Sequence, residues 1–158
     1  MTPQHAAHNT DQQAIDELVQ AFFNLFTNRS GATPNLRAIF ELCVPEAVIA
    51  SCANAAPKVT SLEAFIAPRE ALLSDGTLTD FHEVEVTQQT QIFGNVAQRC
   101  CVYGKSGILN GARFSTRGVK LFQLIRRPEG WRITAVSWDD ERDGFSLDAM
   151  DSTPLEVR

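Results

Sequence analysis

The sequence predicts an α+β fold: N-terminal helices packed on one face of a cone-shaped, curved antiparallel sheet. Three features point there. Ile15, Leu18, Val19, Phe22, Phe23 and Phe26 recur at spacings of three and four, a helical stripe broad enough to face a sheet. From Phe81 onward the chain is heavy in Val, Thr and aromatic residues, in alternating runs. The stretch 117–141 holds two apolar-rich runs, 119–125 and 131–138, joined by Arg126-Arg127-Pro128-Glu129-Gly130. Pro pre-sets φ for a turn and Gly tolerates positive φ near its end, so the two runs read as a long antiparallel hairpin.

Residues 1–10 read as a flexible N-terminal tail, 11–141 as a single domain and 142–158 as a C-terminal tail from which Phe145 and Leu147 can dock back. Thr10 or Asp11 can cap the aromatic helix, and Ser30-Gly31 stops it after Asn28. Asn35 can cap a short second helix over 36–42, punctuated by Pro45. The apolar run 48–52 is a short strand. Ser61 begins a third helix with Glu63 in its first turn, where the helix dipole favours an acid. Pro68 falls inside that helix and is expected to kink or split it. Strands follow over 81–93 and 96–105 around the Gly94-Asn95 turn, and 108–114 reads as a loop. Four long strands must twist and curl; closed on one side by the helix of Phe22, Phe23 and Phe26, they leave a half-apolar cavity.

Composition narrows the function. With 14 basic and 19 acidic side chains the net charge is −5, which excludes a dense nucleic-acid-binding face. Arg126 and Arg127 read as a solvated hairpin tip. No run of 18 or more apolar residues exists, and the polar N-terminus has no signal-peptide core, so a cytoplasmic location without membrane partners is expected. Cys43, Cys52, Cys100 and Cys101 form no CxxC pair. Cys100 and Cys101 are neighbours on a strand and face opposite sides, so they do not share a metal. No GxGxxG, P-loop, GxSxG, HExxH or EF-hand pattern occurs, and neither a cofactor nor a metal is expected.

The order ααβαββββ resembles the nuclear transport factor 2-like superfamily, with its cystatin-like roll. The matching residues are the Gly94-Asn95-Val96-Ala97 turn, Phe122-Gln123-Leu124, Gly130-Trp131-Arg132-Ile133 and Trp138-Asp139-Asp140-Glu141. The superfamily includes SnoaL-like polyketide cyclases, ketosteroid isomerases, scytalone dehydratase and many uncharacterised bacterial proteins. The resemblance implies a homodimer through the outer sheet face. Its isomerases imply a tyrosine on the first helix and an acid early in the first strand. This chain has Phe22 and Phe23 near the first position and Val48-Ile49-Ala50-Ser51-Cys52, without a carboxylate, at the second. Isomerase chemistry therefore needs a relocated acid–base pair.

His82, the histidine outside the N-terminal tail, and Asp139 form the most plausible catalytic pair, His82 as an imidazole able to serve as acid or base and Asp139 by facing a cavity. Both also read as solvated strand residues. Arg117 and Gln123 share a face and can hold a carboxylate or carbonyl; alternatively Arg117 lies on the outer face, paired with Glu83 or Glu85. Arg99 and Tyr103 share a face in the same way, Arg99 reading as an outer-face residue. Seven positions separate Trp131 from Trp138, which puts them on opposite sides of a strand. Catalytic roles thus fall to His82 and Asp139, and contacts to a small apolar or acidic molecule to Tyr103, Arg117, Gln123, Phe22 and Trp138. Two function classes stand side by side: a cofactor-free SnoaL-like isomerase, cyclase or dehydratase, and a non-catalytic ligand-binding or dimerisation module.

Overall fold

Helix α1 (Pro3–Asn24) opens the computed structural model, which describes residues 3–53 and 56–150. The helix starts before the Thr10 or Asp11 cap expected from the sequence. Proline is tolerated in a first helical turn, where its missing N–H would lack a partner anyway, and Ala6 and Ala7 favour helix. Ile15, Val19, Phe22 and Phe23 are buried along one face of α1. Asn28 then fastens the turn that follows. Its side-chain amide donates to the carbonyls of Leu73 and Leu78 at 3.1 and 2.8 Å, and its oxygen accepts from the Phe81 N–H at 2.7 Å.

A 3-10 turn (Leu36–Ala38) leads into α2 (Ile39–Leu42); Asn35 occupies the cap position without a side-chain capping bond. Strand β1 (Cys43–Ser51) is longer than its apolar run. It accommodates Pro45 because its ladder is interrupted between Cys43 and Val48, so no N–H is missed there. After the short β2 (Lys58–Thr60) comes α3 (Leu62–Ser74), capped by the Ser61 hydroxyl, which accepts from the Ala64 N–H at 3.3 Å. The helix runs unbroken through Pro68.

Four long strands complete the sheet: β3 (Leu78–Phe93), β4 (Val96–Leu109), β5 (Ala112–Arg127) and β6 (Gly130–Asp140). The segment expected as a loop over 108–114 is instead strand on both sides of a tight turn. Asn110 and Gly111 have φ of 50° and 81°, the left-handed pair that a two-residue hairpin requires. The strand order is β2-β1-β6-β5-β4-β3. The β1–β6 pair is parallel, so the curved, unclosed sheet is mixed rather than wholly antiparallel. Phe22 and Phe23 of α1 meet Phe122 with ring centroids 5.3 and 6.0 Å apart, and a second chain of rings runs Phe26–Phe65–Trp138 at 5.8 and 5.7 Å. These edge-on contacts join helices and sheet into one core.

Bulges decide what faces that core. Ile133 lies opposite Leu124 and Ala135 opposite Gln123, so Thr134 is an extra residue in β6. The two tryptophans therefore both point inward and are buried, correcting the opposite placement expected from strict alternation. In β3 the register shifts between Thr79 and His82, at Asp80 with φ of 49°, and again between Glu85 and Thr87. Phe81 and Glu83 are buried as a result, and His82 falls between them on the other side of the strand.

Candidate functional site

A cavity of about 500 Å³ lies between α3 and the inner face of the sheet. That is within the range of roughly 300–1,000 Å³ common for small-molecule sites. Phe26, Phe65, Leu73, Leu78, Phe81 and Phe114 supply apolar wall. The charged residues are concentrated on the strands: Glu83 from β3, Lys105 from β4, Lys120 from β5 and Asp140 from β6. Glu83, Lys120 and Asp140 are all at least nine-tenths buried.

Each of these four strand charges has a partner. Lys105 Nζ lies 2.6 Å from Asp140 Oδ2. The fully buried Tyr103 hydroxyl donates to Asp140 Oδ1. Lys120 Nζ stands 3.5 Å from Glu83 Oε2, and the rings of Tyr103, Phe23, Trp138 and Phe22 surround it at 4.5, 5.0, 5.0 and 5.7 Å. Quadrupolar attraction to ring faces repays only part of an ammonium's lost hydration. Burial therefore holds the Lys120 pKa below the ordinary lysine value, with Glu83 pulling it back up and Lys105 adding to the depression. Burial and the neighbouring Asp140 carboxylate push the Tyr103 phenol up, so it stays a proton donor.

Gly118 makes this arrangement possible. A Cβ there would come within 2.3 Å of the Asp139 carbonyl oxygen and 2.6 Å of Asp140 Oδ1. Glycine thus lets β6 approach β5 closely where Asp140 turns inward.

A second charged cluster lies beneath α1. Arg99, 3% exposed, donates through Nε and Nη2 to both oxygens of Glu85 and through Nη1 to Asp16, at 2.9, 2.5 and 2.5 Å. Burial opposes its charge, but these bonds outweigh it and raise its pKa. Cys101 donates to Glu85 at 2.7 Å, and burial, followed by this hydrogen bond to the carboxylate, raises the thiol's pKa. The outer-face placement expected for Arg99 is thus reversed: the arginine is an internal clamp between helix and sheet.

The expected catalytic pair is not brought together. His82 borders a polar groove between α1 and β3, beside Asp16, Gln20 and Gln88. Asp139 is turned out, accepting from Arg142 at 2.7 Å and from the Asp140 N–H at 2.8 Å. The acid that faces the cavity is its neighbour Asp140, because the Thr134 bulge sets the phase of β6. Arg117 and Gln123 lie on the outer face with Leu121. Arg117 Nε bonds Glu141 at 2.9 Å rather than Glu83 or Glu85. Phe22 packs against Phe122 behind Lys120, Trp138 lines the cavity, and Tyr103 reaches it through Asp140. Arg126 is not a solvated tip: its Nη1 bonds both Asp11 oxygens at 2.9 Å, and Trp131 Nε1 donates to the same carboxylate at 3.0 Å.

Glu83, Lys105, Lys120 and Asp140 escaped selection as site residues. A signal for Lys120 was present: it alternates in phase with Phe122 and Leu124, the buried face of its strand. Among the described residues no cluster of three or more His, Cys, Asp or Glu side chains is placed to hold a metal, and no helix is long and apolar enough to cross a membrane.

Helices laid across a bent sheet, enclosing a cavity with a charged floor, define the class: an α+β cone. Solved structures place it more narrowly. A cystatin-fold nuclear transport factor 2-like protein from Novosphingobium aromaticivorans superposes with a TM-score of 0.69 at 20% identity, over 92% of this chain and 90% of its own. A nuclear transport factor 2-like superfamily protein from Salmonella enterica serovar Typhimurium gives 0.70 at 14% identity, over 91% and 99%. A cystatin-like protein from Caulobacter vibrioides gives 0.64 at 14%, over 84% and 91%. The chain has the cystatin-like fold of the nuclear transport factor 2-like superfamily, as the resemblance implied. No family model matches the sequence, and no curated protein matches it.

Proposed function

We propose that this cone binds a small, mostly apolar molecule and acts on it as a cofactor-free acid–base catalyst of the SnoaL-like kind. The observation that carries the reading is two ion pairs, Lys120–Glu83 and Lys105–Asp140, meeting at the floor of a cavity whose walls are mostly apolar. Buried ion pairs add little net stability, because desolvation offsets their attraction; their presence here favours a chemical use. Tyr103 and Asp140 also stand as a tyrosine–carboxylate pair on different elements from those the isomerases imply.

Glu83 is the base in this reading. Asp140 has an oxygen engaged by Tyr103 and the other by Lys105, whereas Glu83 meets only the more distant Lys120 ammonium. Glu83 takes a proton from a carbon beside a ligand carbonyl, and the C–H electron pair moves onto the carbonyl oxygen. Lys120 and Lys105 face the negative charge that develops. In a β,γ-unsaturated ketone, returning the proton to the γ carbon of the dienolate completes an isomerisation; in a β-hydroxy ketone, the enolate expels hydroxide, which takes the proton from Glu83 and leaves as water. Tyr103 is a positioning residue that holds Asp140.

A thermal-shift screen of apolar ketones, followed by ¹H NMR of hydrogen–deuterium exchange on any stabilising compound, tests this. Glu83→Gln is expected to keep the thermal shift and lose exchange at least about 100-fold. Exchange that persists in Glu83→Gln removes the catalytic role and leaves the alternative, a ligand-binding module.

The outer sheet face favours self-association as well. Val48, Val84, Val86 and Leu121 are exposed there, an apolar surface suited to a second copy. Light scattering after size exclusion is expected to show a dimer, and Leu121→Lys with Val86→Lys a monomer. The four free cysteines fit a reducing cytoplasm.

A further inference from the structure

We infer that Arg69 is an anchor for a carboxylate, which makes the ligand class of the cavity apolar carboxylic acids. The inference rests on the cavity being a ligand site and adds the chemistry of one end of the ligand.

Arg69 lies on α3, one turn after Phe65, and lines the cavity. Its guanidinium stacks over the Phe65 ring at 4.0 Å and stands 5.8 Å from Trp138. Nη1 donates to the Phe65 carbonyl at 3.0 Å. No carboxylate among the described residues lies within ion-pair distance of it, in contrast to the other cations of the cavity. Lys120 has Glu83 and Lys105 has Asp140. The third acid of the wall, Glu141, is engaged outside the floor by Arg117 and by the Leu147 N–H. Pairing every acid therefore leaves one positive charge, and it belongs to Arg69. Arg69 is half-buried; burial lowers its pKa, with Glu83 opposing from a distance, so the charge is partly desolvated with no acid in contact.

An arginine in this state is prepared for an anion. Stacking on Phe65 fixes the guanidinium plane, and its remaining N–H groups form the planar fork that matches a carboxylate in two parallel bonds. Little freedom is lost when the anion docks. Phe81, Phe114, Leu73 and Leu78 on the same wall take an aryl or alkyl body. The alternative occupation of Arg69, as a lid that merely covers Phe65, predicts no preference between charged and neutral ligands of one shape.

Isothermal titration of the intact protein with 4-phenylbutanoic acid and with 4-phenylbutanamide separates these. The acid is expected to bind at least about tenfold more tightly than the amide, corresponding to one charge-assisted bidentate contact. Arg69→Met is expected to bring the acid down to the amide's affinity while thermal melting stays within a few degrees, and Arg69→Lys to restore part of the preference. Equal affinities for acid and amide in the wild-type protein overturn the anchor while leaving the cavity as a ligand site; that comparison needs no folded variant. Binding of neither compound up to its solubility overturns both the anchor and the cavity reading.

Discussion

Arg99 and Lys120 are both cations with about 3% of their surface exposed, one strand apart in the same sheet, and they are buried in opposite ways. Arg99 is saturated by two acids, three of its N–H groups being accepted by Glu85 and Asp16. Lys120 has one acid at 3.5 Å and four aromatic rings. The pKa of the first is raised and that of the second lowered. A saturated buried charge fastens helix to sheet. An undersaturated one beside an empty volume retains interaction energy that a ligand can use.

The sharpest way to break this contrast is to remove each cation in turn. Arg99→Met strands Glu85 and Asp16 without their counter-charge and is expected to lower the free energy of unfolding by about 3 kcal/mol or more in urea titration. A loss below about 1 kcal/mol would remove the clamp role from Arg99. Gly118→Ala tests the cavity side from the backbone: the 2.3 Å approach to the Asp139 carbonyl forces β6 away, at about 1–3 kcal/mol. Asp140 then loses its place against Tyr103, and any ligand-induced thermal shift shrinks with it.

Lys120→Met leaves the buried Glu83 without its counter-charge and is expected to cost about 1–2 kcal/mol near neutral pH, less than Arg99→Met because Met fills the aromatic box without a desolvated ammonium. The pH dependence sharpens the point. A lysine pKa lowered by folding means that, below the ordinary value of 10.5, the unfolded chain holds more protons than the folded one. Wild-type stability therefore gains on Lys120→Met as pH rises toward 10.5, by at most about 1.4 kcal/mol per pH unit. Parallel urea midpoints for the two proteins at every pH would falsify the proton coupling. Smallest is Asp11→Asn, which weakens the Arg126 and Trp131 contacts of α1 and is expected to cost about 0.5–1 kcal/mol by thermal unfolding.

Helix stripes, the Ser61 cap and the last hairpin were legible because each is a local pattern. The site was not, because it depends on phase. A bulge changes which residues point inward without leaving a mark in composition, and Thr134 and Asp80 carry no bulge-specific residue type. Strict alternation separates Trp131 from Trp138 and leaves the inward acid of β6 undecided; one inserted residue buries both tryptophans and selects Asp140. Tyr103 was singled out from its strand, yet its partner is 37 residues away, a proximity made by topology alone. Lys120 was overlooked because a lysine on a strand is usually solvent-facing.

The two irregularities of β3 have a further effect. This strand is 16 residues long and forms one edge of the sheet, with no neighbour beyond it among the described residues. A straight ribbon of that length offers a continuous row of free amide and carbonyl groups, a template for templated aggregation between molecules. The kinks at Asp80 and Val86 interrupt that row, and the acids Glu83 and Glu85 discourage an identical strand from docking alongside. Straightening them is expected to promote open-ended strand-to-strand aggregation.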